Sequence, residues 1–272
     1  MTRPLILLTN DDGIHSPGLA AAASFLDPLG ELLIVAPAVQ QTSMGRSRSQ
    51  QYGNDGRISP AEVVYKDQRW QGFAANASPA LAVEHAVQEI TDRPIDLAVS
   101  GINYGENVGS CVTVSGTIGA ALEAAERGIP AIAVSLEILN TDYHSHNAKI
   151  NFEVAAYFTQ MLAKKILAAE MPFDVDVLKL EVPAQATRDT KTVIARQDKF
   201  SYYMPSMEKR LDLSGPANFN HTPSKGQYTN TDTDAYALAQ GWVAITPLSI
   251  DMTSRVEMTD LSDLLDTPAV IK

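Results

Sequence analysis

The stretch LILLTNDDGIHSPGL, Leu5–Leu19, decides the fold class and poses a chemical problem. Four apolar residues in a row read as a strand buried on both faces, as in the middle of a parallel sheet. The strand runs straight into Asn10-Asp11-Asp12-Gly13. Adjacent carboxylates repel each other, and burial without partners makes each of them costly or protonated. A bound cation would resolve the conflict. A turn facing water would resolve it too, because Asp-Asp-Gly is common turn chemistry.

Outward from this stretch the chain alternates. Strand candidates are Leu5–Thr9, Leu32–Ala36, Asp96–Ser100 and Ala131–Ser135; helix candidates are Gly18–Leu29, Ser78–Glu89, Gly116–Arg127 and Asn151–Ala168. This rhythm predicts an α/β fold, a parallel sheet covered by helices on both faces. Ligand crevices in such sheets lie outside the carboxyl ends of the strands. The polar clusters TNDDG, APAVQQTS, SGINYG and SLEI all fall on that edge. Between Gln40 and Ala77 the chain is irregular, with short strands expected at Glu62–Lys66 and Arg69–Phe73. Residues Gln185–Asp234 are polar and rich in Tyr, Asn, Thr and Lys, and Gly241–Leu248 reads as a further strand. The expected division is a Rossmann-like core over 1–184, an extended arm or hairpin over 185–234, and a returning strand with a tail over 235–272.

Composition narrows the function. A net charge of -11 argues against affinity for nucleic-acid backbones. It is compatible with one small phosphate ligand held by a metal and backbone N–H groups. The single cysteine, Cys111, excludes an internal disulfide framework and a cysteine zinc site. No apolar run has the length of a membrane span. The first strand begins almost at the N-terminus, which leaves no room for a signal peptide and predicts a cytoplasmic protein.

Four clusters carry the chemistry. Asp11 and Asp12 offer hard oxygen ligands suited to Mg²⁺, Mn²⁺ or Ca²⁺. Thr42 or Ser43, in the loop after the second strand, can add a neutral oxygen, and Arg46 and Arg48 in the same loop can meet a phosphate; a plain polar loop is the alternative. In DLAVSGINYGENVG, Asp96–Gly109, Asn103 can coordinate a cation through its amide oxygen and Asn107 can donate to a phosphate; alternatively Asn and Gly there merely occupy turns. Ser115-Gly116-Thr117 opens a helix, where a Ser or Thr is usually a cap. Such an N-terminus also binds anions. His144 and His146 have an alternating spacing that could hold a metal but read first as solvated loop residues, and His85 as a residue of a helix surface or edge. His15 follows the acidic turn, where a simple loop role is favoured; metal-bound water, Arg46 and His15 are the alternatives for a general acid, and Cys111 reads as a small packing residue.

Together these pieces resemble the survival protein E family, the SurE nucleotidases. The resemblance rests on TNDDGIHSPGL, VAP with its following loop, VSGINYGENVG, SGTIGAALEA and GIPAIAVS, and continues through TDAYALAQGWVAITPL. It implies a Rossmann-like core and a metal-dependent phosphomonoesterase acting on nucleoside 5′- or 3′-monophosphates, with polyphosphate as a further substrate. It also implies one divalent metal ion per subunit, Mg²⁺ or Mn²⁺, and dimers or tetramers that exchange C-terminal segments. By motif, Asp11, Asp12 and Asn103 match the family's metal ligands. The family's remaining ligand is a serine, where this chain has Thr42, with Ser43 next to it. Arg46 stands where many relatives carry His, and Leu81 where they carry Asp. Asn107, Ser115, Gly116, Thr117 and Arg46 would then contact the phosphate. An aspartyl-phosphate mechanism at Asp11 fits poorly, since that chemistry expects Asp-x-Asp. A non-catalytic nucleotide- or phosphate-binding protein on the same fold is the alternative from another class. Phe200, Tyr202, Tyr203, Met204, Met207, Phe219 and Tyr228 make the 185–234 arm a candidate oligomerisation element.

Overall fold

The computed structural model describes residues 3–50, 53–139, 150–210, 212–223 and 228–270. His144 and His146 lie outside them. In chain order the elements are β1 (Leu5–Thr9), α1 (Pro17–Leu26), β2 (Glu31–Pro37), β3 (Ile58–Tyr65), β4 (Gln68–Ala75), α2 (Pro79–His85), β5 (Leu97–Tyr104), α3 (Gly116–Glu126), β6 (Ala131–Leu136), α4 (Glu153–Ile166), β7 (Val177–Val182), β8 (Thr192–Ile194), β9 (Tyr203–Met207), β10 (Phe219–Pro223), α5 (Asp234–Ala239), β11 (Val243–Leu248) and α6 (Met258–Leu265). The sheet order is β3-β4-β2-β1-β5-β6-β7-β11-β8. From β4 to β7 neighbouring strands are parallel. β3 is antiparallel to β4, and β11 to β7.

β1 shows why an apolar run belongs in the middle of such a sheet. Ile6 and Leu8 join a cluster with Leu19 and Leu26 of α1 and Ala155 and Leu162 of α4. Leu7 points the other way, into a cluster with Val83 of α2 and Ile118 and Ala121 of α3. Side chains alternate across a strand, so a two-sided core demands apolar residues at every position. Each early helix starts on a hydroxyl cap: Ser16 Oγ accepts from the Gly18 N–H, Ser78 Oγ from Leu81 and Ser115 Oγ from Ile118.

Three expectations are adjusted. The helix expected over Ser78–Glu89 ends at His85, and Ala86–Ile90 continues as a wider π turn. β5 runs four residues beyond Ser100, with a register irregularity against β6 between Ser100 and Asn103. β7 is an additional central strand. Within 185–234, β8 returns to the main sheet beside β11, while among the described residues β9 and β10 pair only with each other as an antiparallel hairpin.

Strand order places the crevice. The chain goes from β1 to β2 on one side, and later enters β5 on the other side of β1. Loops after β1, β2 and β5 therefore part at a switch point, the usual ligand position in a doubly wound sheet. Close packing of α1 helps to build it. A Cβ added at Gly18 would stand 2.1 Å from the Ile102 carbonyl oxygen, a backbone atom with no room to yield. Gly18→Ala is therefore expected to destabilise the fold by about 1–3 kcal/mol, the scale of overpacking, read as a lower denaturant midpoint with an unchanged slope.

Candidate active site

The loops at the switch point enclose a cleft of about 660 Å³ lined by Asp11, Asp12, Gln40, Thr42, Ser43, Asn103, Tyr104, Gly105, Glu106, Asn107, Ser110, Cys111, Val114, Ser115, Ser201 and Tyr203. The β1 turn supplies its floor. Asn10 staples that turn by accepting from the Gly13 N–H and donating to the Gly13 carbonyl. Asp11 and Asp12 are only 6% and 3% exposed, so they do not form a turn facing water.

Each carboxylate has hydrogen-bond donors around it. Thr117 donates its hydroxyl to Asp11 Oδ1 at 2.6 Å. The Tyr104 N–H donates to Asp12 Oδ2 at 3.0 Å, and Gln40 Nε2 to Asp12 Oδ1 at 3.1 Å. α3 approaches end-on. A Cβ at Gly116 would lie 2.7 Å from Asp11 Cβ, so only glycine lets the helix start come this close. The helix dipole favours negative charge there. These interactions do not fully offset burial. Desolvation, then the neighbouring Asp12 charge, push the Asp11 carboxyl up to about 7.

That residual penalty is what a divalent cation would remove, and the donor set fits a hard one. Among the described residues no three His, Cys, Asp or Glu side chains gather as a metal cluster. A cation here would therefore be held by the two carboxylates with neutral oxygens and water. Asn103 Nδ2 donates to the Gly105 carbonyl at 2.7 Å, which leaves its amide oxygen as the metal-seeking atom. The irregularity in β5 is the kind of feature that re-aims a side chain toward a site. Thr42 and Ser43 both line the cleft with exposed side chains. Ser43 has φ of 62°, a left-handed conformation rare for a residue with a Cβ.

The phosphate-contact expectations divide. Asn107 and Ser115 line the cleft. Asn107 Nδ2 donates one hydrogen to Ser135 Oγ at 3.0 Å, and its second has no partner among the described residues. Gly116 and Thr117 are buried behind the lining, packed on and bonded to Asp11. Arg46 is engaged elsewhere: it pairs with Glu123 at 2.7 Å and with Glu126, both on α3. Arg48 joins the same two carboxylates. Leu81 packs against the core cluster on the α2–α3 face. His15 is exposed and outside the lining, whereas half-buried Cys111 is within it.

Sequence reading missed Gln40, Glu106, Ser201 and Tyr203. Glu106 is 5% exposed and takes a hydrogen bond from the Tyr203 hydroxyl, while burial raises its carboxyl above the usual range. The only sequence signal was the position of Glu106 inside the glycine-rich loop. Nothing local announces that Tyr203, almost a hundred residues later, reaches the same cleft.

The sequence and the overall fold have counterparts in known proteins. The family model described as Survival protein SurE matches residues 6–204. A 5′-nucleotidase SurE from Thermococcus gammatolerans is 39% identical over 261 residues, covering 96% of this chain and 95% of the relative. One from Archaeoglobus fulgidus is 40% identical over 254 residues, covering 93% and 94%. The crystal structure of the SurE protein from Aquifex aeolicus superposes with a TM-score of 0.74 at 29% identity, over 97% of this chain and all of that one. With a family model spanning most of its length and relatives of this identity over nearly all of it, the chain belongs to the SurE family.

Proposed function

We propose that the protein is a metal-dependent phosphomonoesterase that hydrolyses nucleoside 5′- or 3′-monophosphates to nucleoside and inorganic phosphate. The observation that carries this reading is the Asp11–Asp12 pair, buried together at the end of β1 and faced by the N-terminus of α3. The relatives named 5′-nucleotidase SurE give the substrate class. In this reading Asp11, Asp12 and Asn103, with Thr42 or Ser43, hold one Mg²⁺ or Mn²⁺ per subunit. When bound, the cation supplies Lewis-acid stabilisation of charge on the phosphoryl oxygens.

The chain's own groups do the rest. Thr117 and the Tyr104 N–H orient the two carboxylates from behind. Asn107 and Ser115, which line the cleft, position the phosphate for in-line attack by water. Glu106 and Tyr203 close the cleft on the hairpin side. The same reading treats 1–184 as the catalytic core, 185–234 as an arm and 235–272 as a returning strand and tail. The arm joins a second copy of the chain in a dimer or tetramer. Met204 and Met207 are 50% and 66% exposed on the hairpin, which supports that role. Tyr202 and Tyr203 instead pack edge to face on each other, and Tyr202 stacks on Tyr228.

Purified protein should release phosphate from nucleoside monophosphates with Mg²⁺ or Mn²⁺ and lose that activity in EDTA. Asp12→Asn should cut kcat about 100-fold or more, the scale of removing one group that stabilises transition-state charge, while circular dichroism stays native. Full metal-dependent turnover by this variant would refute the carboxylate assignment.

The hydroxyl ligand is separable. If Thr42 holds the cation, Thr42→Ser keeps Mn²⁺ affinity and Thr42→Val lowers it. If Ser43 does, only Ser43→Ala lowers it. Isothermal titration with Mn²⁺ reads the difference.

For the arm, Met204→Ser with Met207→Ser should shift the mass in light scattering toward monomer while Mn²⁺ binding persists. A monomeric wild-type protein at micromolar concentration contradicts the oligomer.

A further inference from the structure

Lys179 is completely buried in β7, an interior strand of the main sheet. An ammonium there is tolerated only if paired and fully hydrogen-bonded. Its in-register neighbours are small or short, Ala133 on β6 and Thr246 on β11, which leaves space for the long stem. Its Nζ donates to Asp234 Oδ2 at 2.7 Å and to the Asn107 carbonyl at 2.9 Å. Glu181, two residues along and on the same face, has Oε1 3.7 Å from the same nitrogen.

All three charged groups converge on one loop. Glu181 Oε2 accepts from the Asn107 N–H at 3.0 Å. Asp234 Oδ2 accepts from the Gly109 N–H at 3.1 Å, while Oδ1 accepts from the Asp198 and Ala235 N–H groups. The backbone of Asn107 is thus gripped at both its N–H and its carbonyl, and Gly109 is tied to the start of α5. A buried charge cluster is a poor source of net stability, because desolvation consumes most of the Coulombic gain. It is a strong source of geometric restraint, since every partner is lost at cost.

We infer that Lys179 and Asp234 are positioning residues, which hold the Asn107–Gly109 backbone so that the Asn107 side chain presents its amide to the phosphate. The inference rests on the proposed phosphate role of Asn107. Neither residue lines the cleft. The device also makes the active-site loop depend on a segment from the C-terminal third of the chain.

The test compares Lys179→Met, Asn107→Ala and their double variant in the metal-loaded enzyme, with kcat and KM for a nucleoside monophosphate. Thermal melts and Mn²⁺ titration accompany each. Lys179→Met alone strands the Asp234 charge, so Lys179→Met with Asp234→Asn, which removes both charges, is made alongside and carries the same test if the single variant does not fold. We expect kcat/KM to fall about 10- to 100-fold in the folded variants, as for small misplacements of a positioning group, with Mn²⁺ affinity close to wild type. The double variant carrying Asn107→Ala should be no worse than Asn107→Ala itself, because two changes along one route are not additive. If Asn107→Ala is impaired while the Lys179 variants show wild-type kinetics, or losses that simply multiply, the inference fails alone. If Asn107→Ala is itself silent, the phosphate role of Asn107 fails and the inference with it.

Discussion

Two adjacent carboxylates buried at the end of a central strand are the constraint from which the rest of the site follows. Asp11 and Asp12 repel each other, and both have left water. The fold surrounds them with donors from three separate segments: the loop after β2, the end of β5 and the first turn of α3. None of these three donors carries a full positive charge, and burial, with the neighbouring Asp12 charge, makes Asp11 hold its proton unusually tightly. A site built this way is prepared for a cation rather than stabilised without one.

The approach of α3 illustrates how packing serves that chemistry. Gly116 removes the Cβ that would strike Asp11, and Thr117 turns its hydroxyl inward to the same carboxylate. Residues that read as phosphate contacts thus support the carboxylates from behind, while Ser115 remains at the cleft surface as both lining and helix cap. Arg46 shows the opposite outcome. Glu123, a fully buried side chain on α3, needs a partner, and Arg46 and Arg48 supply it. The arginines tie the β2 loop to the helix whose first turn meets Asp11.

Much of the sheet was legible because its strands are buried on both faces. Continuous apolar runs at Leu5–Thr9 and Ala131–Ser135 have little alternative to a central parallel strand, and their neighbours follow from the βαβ rhythm. β7 was not legible. VLKLEV alternates apolar and charged residues, the pattern of a strand with one face in water. Here the charged face is buried, made tolerable by Asp234 from 55 residues away. A hairpin within 185–234 was expected, but its strands β9 and β10 were not placed, since they are short and their sequences carry no periodic apolar pattern.

By itself the sequence determined most elements of the first half, the cap at Ser115 and the presence of a carboxylate pair at a strand end, because these depend on neighbours within a turn or two. It also narrowed the chemistry to hard oxygen ligands. Tertiary structure alone decided which groups meet: that Arg46 goes to Glu123 and not to the cleft, that Tyr203 reaches Glu106, and that Lys179 and Asp234 grip the Asn107 loop. Those pairings join residues dozens of positions apart. Their energies depend on strand order, on burial and on which partner lies within hydrogen-bond reach, and no local pattern of residues records any of the three.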